Sequence, residues 1–423
     1  MKTPEKGKEI SKSQSMADIE KSGFAELAKE SSLYPEEKLL KVKHNNKSLK
    51  IAIPSEVSLQ ENRVSLTPAA VGILVANGHE VIVEQGAGRF SYFEDQEYSE
   101  NGAQIAYSNK EVFESDLIVK VEPATLEEIA LMKPGSSVIS AIQLGSSSPE
   151  YFEALNKKKI TALGFEYLED KAGGLPIVNA MSELAGSLVI PIAAEYLSSI
   201  GGGRGIILGG ITGVPPTRVV ILGAGTVAEY AARAAIGLGA EVRIFDNEIY
   251  KLRRIKHKLG NQAFTSTIDT STLSSSLLTA DVVVGALRAE KSKARCVVTE
   301  EMVATMKSGS VIIDVSIDQG GCIETSETTT HDLPTFTKYD VVHYCVPNIA
   351  SRAARTATTA LSNILTPVLL KIADSGGIDD TIFHYSWFSK GIYAYKSCTT
   401  NLQIAKKFNL PFKDLSLLSA TRF

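Results

Sequence analysis

Tryptophan occurs once and cysteine four times in this chain of 423 residues. The cysteines (Cys296, Cys322, Cys345 and Cys398) form no CxxC pair and no disulfide framework. A reducing compartment, the cytoplasm, is expected, with the thiols as small buried apolar groups. No metal site is expected from any residues. A charge excess is also missing: 44 basic residues face 48 acidic ones, a formal net charge of −4, which gives no reason to expect a nucleic-acid partner. There is no apolar signal region. The most apolar run, residues 184–194, meets Glu195 too soon to span a bilayer, so no membrane segment is expected. What remains is the balance of a globular protein, long enough for two or three domains.

Residues 1–47 are rich in Lys, Glu and Ser. They read as an extension outside the main fold, either a docking arm or a mobile tail, with a short amphipathic segment over 16–28. From Leu49 onward, apolar runs at 50–53, 80–84, 117–121, 137–142 and 160–165 alternate with helical patterns such as 67–77 and 126–132. That rhythm predicts parallel strands with helices on both faces. A glycine-rich linker over 201–210 precedes further strands at 219–222, 281–285, 310–315 and 341–345, and an apolar helix over 357–373 would cross back. The expected fold is α/β, with two Rossmann-like domains built on parallel sheets. A discontinuous substrate and catalytic domain would cover 48–180 plus 357–423, and a dinucleotide-binding domain 181–356.

The strongest motif is Val219–Asp246, VVILGAGTVAEYAARAAIGLGAEVRIFD. A strand, a glycine-rich turn, an alanine-rich helix and a second strand ending in an acid form the dinucleotide-binding βαβ fingerprint. Gly223 allows the tight turn. Gly225 lets a pyrophosphate approach free N–H groups at the helix N-terminus. Ala228 stands where the third glycine would be and still permits close helix–strand packing. Asp246 is placed to accept the adenosine ribose hydroxyls and would repel a 2′-phosphate, so NAD is expected over NADP. Lys251, Arg253 and Arg254 follow, either as a solvated first helical turn or as partners of that phosphate.

Three loops add candidates. Arg63, in the βα loop Asn62–Pro68, is either a surface arginine or a bidentate clamp for a substrate carboxylate. Asp318, between a strand and Gly320-Gly321, either caps a turn or faces a cleft beside the nicotinamide. Asn348 follows the 341–345 strand and would lie near the same cleft. Ser182 sits where Met181-Ser182-Glu183 is expected to begin a helix, either as its N-cap or as a binding residue.

These segments, with Gly202-Gly203-Arg204-Gly205 and Ile317–Cys322, resemble the alanine dehydrogenase family, which also includes the α subunit of nicotinamide nucleotide transhydrogenase. The resemblance runs from about Leu49 to the C-terminus. It implies reversible NAD-dependent deamination of L-alanine to pyruvate and ammonia, with an amino-acid or 2-oxo-acid substrate and a homo-oligomer, often a hexamer. Arg63 matches the family's carboxylate-binding arginine, Asp318 the aspartate beside nicotinamide and substrate, and Asn348 an asparagine at the cleft mouth. Ser182, Asp246 and Lys251 match cofactor-contacting positions. Two positions depart from the pattern: the family's second lysine is Glu122 after Lys120-Val121, and its catalytic histidine is Gln143. Arg288–Lys293 replaces the family's Pro-Gly loop. Lys120 and Glu122, two apart on the expected strand, would share a face, either toward the substrate as a substitute acid–base pair or as a surface ion pair. Loss of the lysine and histidine leaves two alternatives open. One is an NAD(H)-binding homologue without dehydrogenase activity. The other is a transhydrogenase-like hydride-transfer component, although the run 171–179 lacks the residues that role requires.

Overall fold

The computed structural model describes residues 47–58, 60–143, 147–287 and 296–419. Nearly all of the expected N-terminal extension and the 288–293 loop lie outside the described residues.

Two sheets organise the described chain. The first contains β1 (Lys50–Ile53), β2 (Glu80–Glu84), β3 (Gln104–Ala106), β4 (Leu117–Val119), β5 (Ser137–Ser140) and β6 (Thr161–Gly164). The second contains β7 (Arg218–Leu222), β8 (Glu241–Phe245), β9 (Ala263–Ser266), β10 (Val282–Gly285), β11 (Val311–Asp314), β12 (Thr335–Lys338) and β13 (Val341–Tyr344). The chain then returns to the first sheet with β14 (Ile392–Tyr395) and β15 (Cys398–Thr399). The strand orders are β15-β14-β6-β5-β4-β1-β2-β3 and β12-β13-β11-β10-β7-β8-β9. β14 runs antiparallel to β6, and β12 antiparallel to β13, so each sheet carries antiparallel edge strands on a parallel core. Both cores are doubly wound. Their order reverses between β1 and β4 and between β7 and β10, and in such sheets ligands bind beyond the carboxyl ends of the strands at that reversal.

The strands read as continuous apolar runs because both faces of each sheet are covered. Ile51 and Ile53 point into one core and Ala52 into another. Val219 and Ile221 likewise oppose Val220 and Leu222. Each fully buried aliphatic side chain of this kind stabilises by about 1.5–3 kcal/mol. Local signals set several ends. Thr67 caps the Pro68–Ala76 helix by accepting the Ala70 N–H, and that helix stops at Asn77 before Gly78.

Two helices depart from expectation. The one carrying Ser182 runs over Pro176–Leu197 and starts about two turns earlier than read, because Pro176 occupies its first position. Ser182 is therefore inside the helix and is not its N-cap. This helix absorbs the apolar run 184–194 and is, by length and composition alone, able to cross a membrane. Here it packs on the Thr226–Gly237 and Ala354–Asp374 helices. A Cβ on Gly186 would lie 2.4 Å from the Val227 carbonyl oxygen, so only glycine permits the crossing. The returning helix begins at Ala354, after a 3-10 turn over Ile349–Ala353.

Candidate active site

A cavity of about 330 Å³ opens at the carboxyl ends of both sheets, lined among others by Arg63, Glu166, Met181, Ser182, Asp318 and Asn348. Four residues singled out from sequence therefore converge, although they lie up to 285 positions apart. A glutamate that sequence reasoning missed ties two of them together. Glu61, fully buried at its side chain, accepts Arg63 Nε at 2.7 Å and Nη2 at 2.6 Å, and Asn348 Nδ2 at 2.8 Å. Burial opposes the Arg63 charge, but Glu61, Glu56 and Glu122 outweigh it and hold the guanidinium above its ordinary pKa. Arg63 is thus a fixed cation, not a surface arginine. Nη1 rests 3.3 Å from Met181 Sδ. Glu61 takes only the Nε edge of the fork, and the Nη1/Nη2 edge keeps donors for a further carboxylate. Spacing alone held one weak signal for Glu61, an acid two residues before the loop arginine.

The same loop is stitched to the segment after β13. The Asn62 N–H donates to Ser351 Oγ at 2.8 Å, and the Val64 N–H to Thr358 Oγ1 at 3.0 Å. Asn348 reaches the cavity from a left-handed backbone, φ 56°, which asparagine tolerates better than most residues. Asp318 lies in the 3-10 turn Ile317–Gln319. The buried Asp314 shapes that turn by accepting the N–H groups of Ser316 and Cys322 at 3.0 Å each and the Ser326 hydroxyl at 2.9 Å.

Lys120 and Glu122 differ most from expectation. β4 ends at Val119, so the two do not share a strand face. Lys120 is fully buried with Nζ 2.6 Å from Glu128 and 3.7 Å from Glu56 and, like Glu122 and Gln143, it is not among the cavity-lining residues. It is neither a surface ion pair nor presented to the cavity. Glu122 instead accepts a hydrogen bond from the Gln143 side chain. Burial and Glu61 raise its pKa above the usual carboxylate range, against the opposing pull of Gln143, Arg63 and Lys120. Glu122 and Gln143 therefore interact across the ends of β4 and β5. Gln143 adopts φ 44°, a conformation most side chains avoid.

Burial pushes the Glu56 carboxyl up to about 7, partly offset by Lys120 and by the Val121 N–H. Between its ordinary value of 4.5 and about 7, the folded state holds a proton that the unfolded chain releases. This contribution to stability is complete below that window and is lost as pH rises through it. Burial shifts Glu84 and Glu166 in the same direction. In urea unfolding from pH 5 to 8, Glu56→Gln is expected to gain stability relative to wild type as pH rises. A difference independent of pH would rule this out.

The fingerprint turn leads from β7 into the Thr226–Gly237 helix. Gly223 has φ 110°, and a Cβ there would lie 2.5 Å from the Ala286 carbonyl oxygen. Gly225 caps the Thr226–Gly237 helix, and a Cβ on it would meet nothing within 4 Å, leaving the helix N-terminus open. Ala228 is fully buried in the core between helix and sheet. Asp246 follows β8 and accepts the Ala224 N–H at 2.7 Å and the Glu248 N–H at 2.8 Å. Arg254 is not simply solvated: its Nη2 donates to the Ala224 carbonyl at 2.9 Å. Lys251 lies over the Tyr250 ring. Gly223→Ala is expected to cost about 2 kcal/mol of stability through backbone strain and collision. Gly225→Ala should cost under about 0.5 kcal/mol. Urea midpoints for the two variants test the contrast.

The fold and site define an α/β protein of two mostly parallel sheets, with a glycine-rich turn near a cavity that holds a fixed arginine. Residues 52–185 match the model "Alanine dehydrogenase/PNT, N-terminal domain" and residues 189–401 the corresponding C-terminal domain. The chain belongs to the alanine dehydrogenase/PNT family, whose alanine dehydrogenase members are oxidoreductases. It is 38% identical to the alanine dehydrogenase of Mycolicibacterium smegmatis over 365 residues, 86% of this chain and 98% of the relative. It is 39% identical to that of Methanococcus maripaludis over 86% of this chain and 97% of the relative. A solved L-alanine dehydrogenase superposes with a TM-score of 0.81 at 35% identity, covering 85% of this chain and 99% of that one. A transhydrogenase from Sinorhizobium meliloti shares the fold at 23% identity, with a TM-score of 0.72.

Proposed function

We propose that the chain catalyses NAD-dependent oxidative deamination of L-alanine: alanine, NAD⁺ and water give pyruvate, ammonium, NADH and a proton. The observation that carries this reading is the convergence of the Arg63 edge, Asp318 and Asn348 on one cavity beside the fingerprint turn. The alanine dehydrogenases to which the chain is similar support the substrate.

The residues present fit NAD. Gly223 and Gly225 would hold the pyrophosphate at the open helix N-terminus, Ala228 keeps helix and strand close, Asp246 and Lys251 would hold the adenosine ribose, and Ser182, which lines the cavity, would contact the cofactor. When bound, NAD supplies hydride acceptance from Cα. Arg63 binds the carboxylate through its Nη1/Nη2 edge. Asn348, anchored to Glu61, keeps that arginine and the mouth of the cleft in register. Asp318 orients the amino group or the attacking water. Glu122, hydrogen-bonded by Gln143, accepts the proton that the amine or water must lose. Gln143 has no titratable proton of its own, so it orients the base and does not replace it. Lys120 contributes indirectly, as the buried cation beside Glu56 and Glu128. The domain division read from the sequence, with the catalytic lobe over 48–180 plus 357–423, and a cytoplasmic homo-oligomer, as a hexamer, belong to the same proposal.

The test is NADH formation from NAD and L-alanine by the purified full-length chain, and NADH consumption with pyruvate and ammonium. Turnover in both directions supports the reading. NADH binding without turnover on either side would replace it with an NAD(H)-binding homologue lacking dehydrogenase activity.

A further inference from the structure

We infer that Glu56 and Glu166 are positioning residues that clamp the backbones of residues 121–122 and 142, and so fix the Glu122–Gln143 pair. The inference rests on the reading of that pair as the acid–base apparatus.

Four adjacent strands end in a row, in the order β1, β4, β5 and β6. β4 and β5 pair in parallel only as far as Val119 and Ile139. Two backbone bonds extend that pairing, Lys120 N–H to Ile139 and Ala141 N–H to Val121. Beyond them, the N–H groups of Val121, Glu122 and Ile142 have no ladder partner, and buried backbone donors need one. Carboxylates from the two outer strands supply it. Glu56, from the loop after β1, accepts the Val121 N–H at 2.6 Å with one oxygen and the Glu122 N–H at 3.3 Å with the other. Glu166, just after β6, accepts the Ile142 N–H at 2.7 Å. The ends of the two inner strands are thus gripped from both sides.

Two details favour positioning over generic packing. Gln143 is held at φ 44°, and such a backbone persists only where its surroundings over-determine it. Lys120, next to the clamped amides, pairs with Glu128 and with the clamping Glu56. A lysine at 122 would bring its own charge to this spot, whereas a glutamate facing a glutamine depends on the backbone register for its hydrogen bond.

The test uses Glu56→Gln, Glu166→Gln, Glu122→Gln and the Glu56→Gln/Glu122→Gln double variant. Glutamine retains the shape but replaces one acceptor oxygen with an NH2 donor, so at position 56 one of the two amides loses its acceptor. Hydrogen exchange at Val121 and Glu122 should accelerate about tenfold in Glu56→Gln, and at Ile142 in Glu166→Gln, with the β7–β8 amides unchanged. Glu56→Gln should lower kcat for alanine about tenfold at unaltered NADH affinity, yet add less than about twofold in the Glu122→Gln background, because it acts through Glu122. Unchanged exchange at these amides would overturn the clamp. A double variant whose loss is the product of the single losses would overturn the positioning role. Absence of alanine turnover in the wild type would instead defeat the alanine reading, and the exchange measurement would still decide the clamp.

Discussion

Arg63→Ala is expected to lower kcat/KM for L-alanine by about three orders of magnitude. The side chain is 11% exposed and its partner Glu61 not exposed at all. Removing one member of a buried pair costs about 3–5 kcal/mol, because the remaining charge stays unpaired in a poorly solvated place. Glu61 would keep only Asn348 Nδ2 and the residue 63 N–H as donors. Part of the cost therefore falls on stability and part on catalysis, so kinetics must be read against the folded fraction measured by urea titration. Arg63→Lys should recover little, since an ammonium cannot serve Glu61 with one edge and a substrate carboxylate with another. Steady-state kinetics with kcat/KM within threefold of wild type would mean that the carboxylate is bound elsewhere.

Glu122→Gln is expected to lower kcat by about 10²–10⁴-fold, the range typical of a lost general base, with NADH affinity unaffected. The pH dependence carries the sign. Burial and Glu61 raise the Glu122 pKa, and a base works only when deprotonated. Wild-type kcat should therefore fall as pH drops through that raised pKa, and the glutamine variant should lack this limb while keeping its residual rate. A variant with the wild-type profile would show that the proton leaves by another route.

The sequence by itself was enough for elements whose cause is local. The fingerprint needs Gly223 because the turn takes φ 110°, and it needs a small residue at 228 because helix and strand touch there. Strand positions were legible as unbroken apolar runs, because sheets covered on both faces leave no polar side to interrupt them. Ends were less so. The 117–121 run loses its last two residues from the strand, where Glu56 replaces the ladder partner, and the helix around Ser182 starts at Pro176. The antiparallel edges β12 and β14–β15 carried no readable signal, since their partners are set by where the chain returns.

At the site, Arg63, Ser182, Asp318 and Asn348 could be named from motif context, and the cavity brings them together. Their working state is a tertiary matter. Glu61, 287 positions from Asn348, binds both it and Arg63. Lys120 is withdrawn by Glu56 and Glu128, which lie 64 positions before it and 8 after it. Glu122 and Gln143 become one hydrogen-bonded unit only because β4 and β5 are neighbours. Backbone conformation and burial periodicity arise from interactions a few residues apart and can be read along the chain. Which charges neutralise one another depends on distances of a few ångströms in a poorly solvated interior, and only the folded chain sets those distances.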